Sequence, residues 1–290
     1  MVTPFVRAIA ERAFVKLATL QTLVPRYCGT EAHKAAQLLM REWAVKADSV
    51  REHTFDDDFF GVPTTCVNVA ATLRGDALGR IMLVTHYDTR PVADCDPVDR
   101  SAPVPGANDG GCGPALFAEL IDVFKSDRNR PTIDLVFLDA EDWHALDGKV
   151  VALGARKFVE ALEPADFPDA CLEIDMIAGR TVMLDVDVSC QQLDSSYALT
   201  LELFQIGRAF GLESFNLAKK HPYKWIEADH LAFQEAGIAS AIFMDTDYPE
   251  WHTRADTIEA CDPRGLADVT MVVLRWIYGE AGLARLSARG

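Results

Sequence analysis

The chain lacks any uninterrupted apolar run near the roughly 20 residues that a membrane-spanning helix needs, so no span is expected. It lacks a basic stripe. Its 44 Asp and Glu outnumber 28 Lys and Arg, giving a formal net charge of −16 and a pI near 4.8. Such a surface disfavours nucleic acid and anionic membranes as partners. It lacks Cys-x-x-Cys: the seven cysteines, at 28, 66, 95, 112, 171, 190 and 261, are scattered and odd in number. In a chain of this length that pattern fits reduced thiols packed in the core rather than disulfides or metal ligands. Repeats, low-complexity tracts and linkers are missing too, so residues 1–290 are expected to form a single domain. The first 20 residues lack the apolar core of a signal peptide, because Arg7, Glu11, Arg12 and Lys16 interrupt it. A cytoplasmic location is the resulting expectation.

What is present is an alternation of strands and helices. Helical spacing predicts helices over about 4–23 and 30–46, then from Pro114 to about Lys125, over 151–162, Ser195–Phe210, 228–237 and Arg264–Arg285. Strands are predicted at Thr64–Leu73, Arg80–Asp88, about Ile133–Leu138, 170–179, 181–190 and 238–245. The acidic run Asp56-Asp57-Asp58 reads as a solvated loop, and Thr89–Asp109 as a long functional loop. The fold class expected is α/β: a mixed, mainly parallel sheet with helices on both faces.

In such sheets, sites form beyond the carboxyl ends of the strands. His86 and Asp88 end one strand, Glu141 and Asp142 follow another, and Asp175 a third. His252 lies in the loop after "SAIFM", and Asp109 in the Gly-rich turn "GANDGG". Adjacent acids at the end of a buried strand repel each other unless a cation pairs with them. Neighbouring residues there point in different directions, so one acid of Glu141-Asp142 can hold a metal while the other faces the metal's open position. Two histidines with several carboxylates suit zinc better than magnesium or calcium.

"HYDTRPVADCDP", "PGANDGGCG", "LVFLDAEDW", "LEIDMIAG", "ADHLAFQEAGI" and "EWHTRADT" occur in an order that resembles the zinc-dependent glutaminyl cyclases, in the superfamily of the co-catalytic zinc aminopeptidases. The resemblance runs from about Arg80 to Pro263 and implies a zinc-exopeptidase-like three-layer sandwich. It implies Asp109, Asp142 and His252 as zinc ligands, with His86 and Asp175 completing a second zinc site bridged by Asp109, as in the aminopeptidases. It implies Glu141 as the proton-transferring acid/base, Asp175 and Trp251 beside it in the catalytic pocket, and Asp88 as the acid orienting His86. It also implies a cis peptide bond between Asp109 and Gly110. Trp143 stands between a pocket rim and plain packing, and Asp229 behind the site. One departure is Ala228, where the cyclases tend to carry an acid. His33, His53, His144, His221 and His230 read as structural or surface residues.

The activity implied is conversion of an N-terminal glutaminyl amide to a pyroglutamyl product with release of ammonia. The alternative is a zinc aminopeptidase or small-amide hydrolase using metal-activated water. Either takes a small peptide or amino-acid amide as its substrate, with one Zn²⁺ and room for a second.

Overall fold

A computed structural model of the chain describes residues 2–218 and 222–288, so His221 lies outside the described residues. Helix α1 (Pro4–Leu20) starts where the Thr3 side chain accepts from the Val6 amide, with Pro4 in the first turn. Helix α2 (Glu31–Ala44) repeats the device, Thr30 accepting from the His33 amide. Then come β1 (Ser49–Phe59), β2 (Val62–Leu73), β3 (Arg80–His86), α3 (Cys112–Ser126), β4 (Thr132–Leu138), α4 (Leu153–Glu160) and β5 (Ala170–Ile174). The chain continues through β6 (Val186–Asp187), α5 (Asp194–Ala209), β7 (Tyr223–Lys224), α6 (His230–Glu235), β8 (Ser240–Phe243) and α7 (Pro263–Ser287).

Six strands form one sheet in the order β1-β2-β4-β3-β5-β8. The β1–β2 and β2–β4 pairs are antiparallel, and β4–β3, β3–β5 and β5–β8 are parallel. The period-two alternation of strand side chains divides the interior in two. Leu83, Leu135, Phe137, Leu172 and Ile174 pack with α1, α3 and α7. Met82, Val84, Val136 and Leu138 pack on the opposite face with α4 and α6. The expected helices on both faces of a mainly parallel sheet are what is found.

Two expectations are corrected here. The acidic run is not a loop: Asp56, Asp57 and Asp58 lie in the edge strand β1, paired with Thr65, Thr64 and Pro63. Their neighbours His53, Phe55 and Phe59 turn toward the protein while Asp56 and Asp58 face water, so the run is the solvated face of a strand. A tight turn at Phe60-Gly61, both with positive φ, joins β1 to β2. Most of the strand expected over 181–190 is irregular. Only Val186–Asp187 pairs, in parallel with Tyr223–Lys224, as a separate two-stranded sheet.

No helix among the described residues is long and apolar enough to cross a membrane.

Candidate metal centre

The parallel strands β3, β4 and β5 all end at one rim, and the expected residues gather there. His86, the last residue of β3, has Nε2 3.2 Å from Asp109 Oδ1 and 3.3 Å from Asp175 Oδ1. His252 Nε2 lies 3.6 Å from Asp109 Oδ2 and 3.3 Å from Asp142 Oδ1. Two triads therefore adjoin, His86–Asp109–Asp175 and Asp109–Asp142–His252, and Asp109 gives one oxygen to each.

The backbone is bent to make this possible. Ala140, Met176 and His252 all have positive φ although none is glycine. The first two adjoin Glu141 and Asp175, and such left-handed backbone at non-glycine residues persists only where the surrounding structure holds it. Gly110 turns the chain after Asp109 at φ +73°. A Cβ there would lie 2.1 Å from the Asp88 carbonyl oxygen and 3.1 Å from His86 Cε1. The expected cis bond between Asp109 and Gly110 is absent: the cis peptide bond among the described residues is Val24–Pro25. Gly110 takes up the reversal in its own φ instead.

Around the ligand atoms sits a set of orienting groups. Asp256 accepts from the amides of Asn108 and Asp109 and from the Tyr248 hydroxyl, which fixes the turn carrying Asp109. Asp88 approaches His86 Nδ1 only to 3.5 Å. Its two oxygens accept from the amides of Glu141 and Asp142, so it positions the β4 loop as much as the imidazole. Asp94 lies inside the long loop Thr89–Asp109 and carries no motif of its own. It stands 3.1 Å from His252 Nδ1 and is gripped by the Arg90 guanidinium. Arg90 also donates to the carbonyls of Asp142 and His144.

The electrostatics describe acids crowded out of water. Burial pushes Asp142 up to about 6, reinforced by Asp109 and opposed by His252. Burial likewise pushes Asp175 up to about 6. Glu141 is raised well above its usual range by burial, with Asp229, Asp142 and Asp175 adding to the shift against His86. Burial would raise Asp109 too, but the imidazoles of His86 and His252 hold it below its ordinary value. Both histidines are raised against the effect of burial by the surrounding acids.

Several buried polar atoms at this rim have no hydrogen-bond partner, among them His86 Nε2 and Asp142 Oδ2. Orphaned donors and acceptors of this kind normally cost stability. An imidazole nitrogen and carboxylate oxygens converging at 3.2 to 3.6 Å fit the coordination sphere of zinc, which would satisfy them together.

Asp229 is fully buried behind the rim, both its oxygens lack partners, and its carboxyl is raised well above normal, chiefly by burial and then by Glu173. The next residue, His230, is structural as expected, held between Glu173 and Asp187 at 3.1 and 3.0 Å. Ala228 is buried in an apolar cluster with Ile226 and Ile242, where an acid would be without solvent.

Trp251 is 38% exposed and stacks on the His252 ring with centroids 3.9 Å apart. Trp143 is buried against Phe59 and Phe60 and resolves as packing. A cavity of about 590 Å³ lined by Arg7, Arg180 and Arg264 contains none of the rim residues.

A family profile described as Peptidase family M28 matches residues 68–277. Aminopeptidase YwaD of Bacillus subtilis is 25% identical over 207 residues, covering 68% of this chain and 40% of that protein. The chain thus matches less than half the length of that relative. A Zn-dependent exopeptidase from Parabacteroides distasonis superposes with a TM-score of 0.84 at 21% identity, over 93% of this chain and 98% of the other. The glutaminyl cyclase of Bacteroides thetaiotaomicron gives 0.83 at 23% identity, again over 93% and 98%. At these identities the likeness establishes a common three-layer α/β fold.

Proposed function

The chain belongs to peptidase family M28, and from that membership we propose a zinc-dependent enzyme acting on the amino-terminal part of a small peptide or on an amino-acid amide. The observation that carries the reading is Asp109, which turns one oxygen toward each of two ligand triads while Glu141 follows directly on β4. Asp109, Asp142 and His252 would hold the catalytic ion, with His86 and Asp175 completing a second position. When bound, zinc supplies Lewis acidity toward an amide carbonyl.

The reaction we favour is intramolecular aminolysis. The free α-amine of an N-terminal glutamine attacks its own side-chain amide carbon. Glu141 takes the proton from the attacking amine and returns one to the leaving ammonia, closing a pyroglutamyl ring. Its carboxyl is suited to this exchange because burial, and then the neighbouring acids, raise its proton affinity well above that of an ordinary glutamate. Asp175 supports it from the end of β5, one strand beyond β3, and the buried Asp229 adds to the charge that raises it. Trp251, half-exposed on the His252 ring, supports the cyclase reading: an indole wall narrows the pocket and limits the water that would divert the reaction to hydrolysis.

The complete His86–Asp109–Asp175 triad favours a second reading. With two ions held, a water deprotonated by Glu141 would attack a peptide or amide bond as in an aminopeptidase. Mass spectrometry separates the two readings: incubating zinc-loaded protein with a glutaminyl dipeptide lowers the substrate mass by ammonia under cyclisation. Hydrolysis adds water. No change with a glutaminyl dipeptide or an amino-acid amide rejects both.

A further inference from the structure

Away from the rim, four side chains from four parts of the chain meet in the interior: Cys28 before α2, His33 in its first turn, Cys66 on β2 and Asp139 after β4. All four are buried, at 2% exposure or less, and one donor atom of each lies within 4.8 Å of the others. We propose that Cys28, His33, Cys66 and Asp139 form a structural site for a thiophilic divalent cation of the zinc class, distinct from the rim.

The donor set is the first argument. Two sulfurs, an imidazole and a carboxylate make a four-coordinate, soft-to-borderline shell of the kind used by closed structural zinc sites. The spacings are the second. Zinc–sulfur bonds of about 2.3 Å in a tetrahedron place the sulfurs about 3.8 Å apart. Cys28 Sγ and Cys66 Sγ are 4.0 Å apart. Cys28 Sγ stands 3.8 Å from Asp139 Oδ1, against about 3.5 Å for that pair on one ion. His33 Nε2 and Asp139 Oδ1 are 2.7 Å apart, a hydrogen bond that widens by about half an ångström on loading.

The surroundings are the third argument. Asp139 Oδ2 accepts from the Val67 amide at 2.8 Å, the Tyr87 hydroxyl at 2.5 Å and Gln37 Nε2 at 3.2 Å. Those bonds fix the carboxylate so that Oδ1, which also accepts from the Ala140 amide, faces His33 and Cys28. Fixed outer partners of this sort orient metal ligands and sharpen their geometry. Loading releases the two thiol protons to solvent and binds His33 through Nε2 as the tautomer with its hydrogen on Nδ1, a nitrogen that has no partner. The ion would tie the α1–α2 loop, α2, β2 and the end of β4 into one unit directly beneath the loop that carries Glu141. Cys28 and Cys66 are then ligands, not the plain packing expected of them.

Cobalt substitution tests this. Cobalt bound by thiolates gives an intense thiolate-to-metal band in the near ultraviolet, which the nitrogen and oxygen donors of the rim cannot produce. Wild-type protein refolded with Co²⁺ under reducing conditions is expected to show the band, and the rim variant His252→Ala to keep it. Cys28→Ser combined with Cys66→Ser is expected to abolish it and to lose one ion per chain by elemental analysis. A wild-type protein without the band overturns the proposal, and so does a Cys28–Cys66 disulfide found by peptide mapping. The wild-type spectrum decides even where the double variant does not fold, and neither result depends on catalysis.

Discussion

Replacing Glu141 by Gln keeps the volume and removes the base. Turnover is expected to fall by about 10²- to 10⁴-fold while zinc content is unchanged, read by steady-state kinetics beside elemental analysis. Activity near wild type would remove Glu141 from its assigned role. Asp94→Asn takes the charge from behind His252 Nδ1. It is expected to weaken zinc binding or activity by roughly 10- to 100-fold, measured by chelator competition. Gly110→Ala drives a methyl into the Asp88 carbonyl and toward His86, so the folded protein should lose most of its metal affinity, with circular dichroism as the control for folding. Individual residues differ in how far the sequence revealed them. The gathering of His86, Asp109, Asp142, Asp175 and His252 at one rim is legible from the strand ends and the glycine turn, whereas their role as ligands is what the resemblance implies. Asp94 is harder to read, because nothing in the long loop marks it as the acid that stands behind His252. The Asp109–Gly110 bond was misjudged because a glycine in the left-handed region achieves the same reversal.

Among the elements, β1 and the two-residue β7 go unread, and β1 shows why. Three consecutive aspartates outweigh the alternation of His53, Phe55 and Phe59, and only pairing with β2 makes that alternation visible. The central strands are plain, since β3 and β4 are buried on both faces and carry the apolar runs Ile81–Val84 and Leu135–Leu138. Helix α2 offers a test at this scale. Thr30→Ala removes the cap on the His33 amide and is expected to cost about 1 kcal/mol in urea unfolding. A change within error would mean that the first turn is held by the contacts of His33 instead.

For the whole molecule, the buried acids make stability depend on metal and pH together. Asp142 and Asp175 rise to about 6 from an ordinary 3.8. In metal-stripped protein the folded state therefore holds protons that the unfolded chain has already released between those values. Its stability falls as pH rises through that window. His252, raised from 6.5 to about 9, adds stability that is fully present below the lower value and is lost as pH rises through the higher. Thermal melts of stripped protein should thus decline from about pH 4 toward pH 9, whereas zinc should flatten or reverse the trend, because it binds the deprotonated ligands. Identical slopes with and without zinc would show that these acids are not the ligands.

The two-sided grip of Asp109 has a last consequence. Because its oxygens serve neighbouring triads, a cation settling in one pulls on a donor that the other must use. Occupancies so joined obey reciprocity: whatever the first ion does to the affinity for the second, the second does equally to the first. A calorimetric titration would register that as two unequal steps, whose separation collapses when Asp109 is replaced.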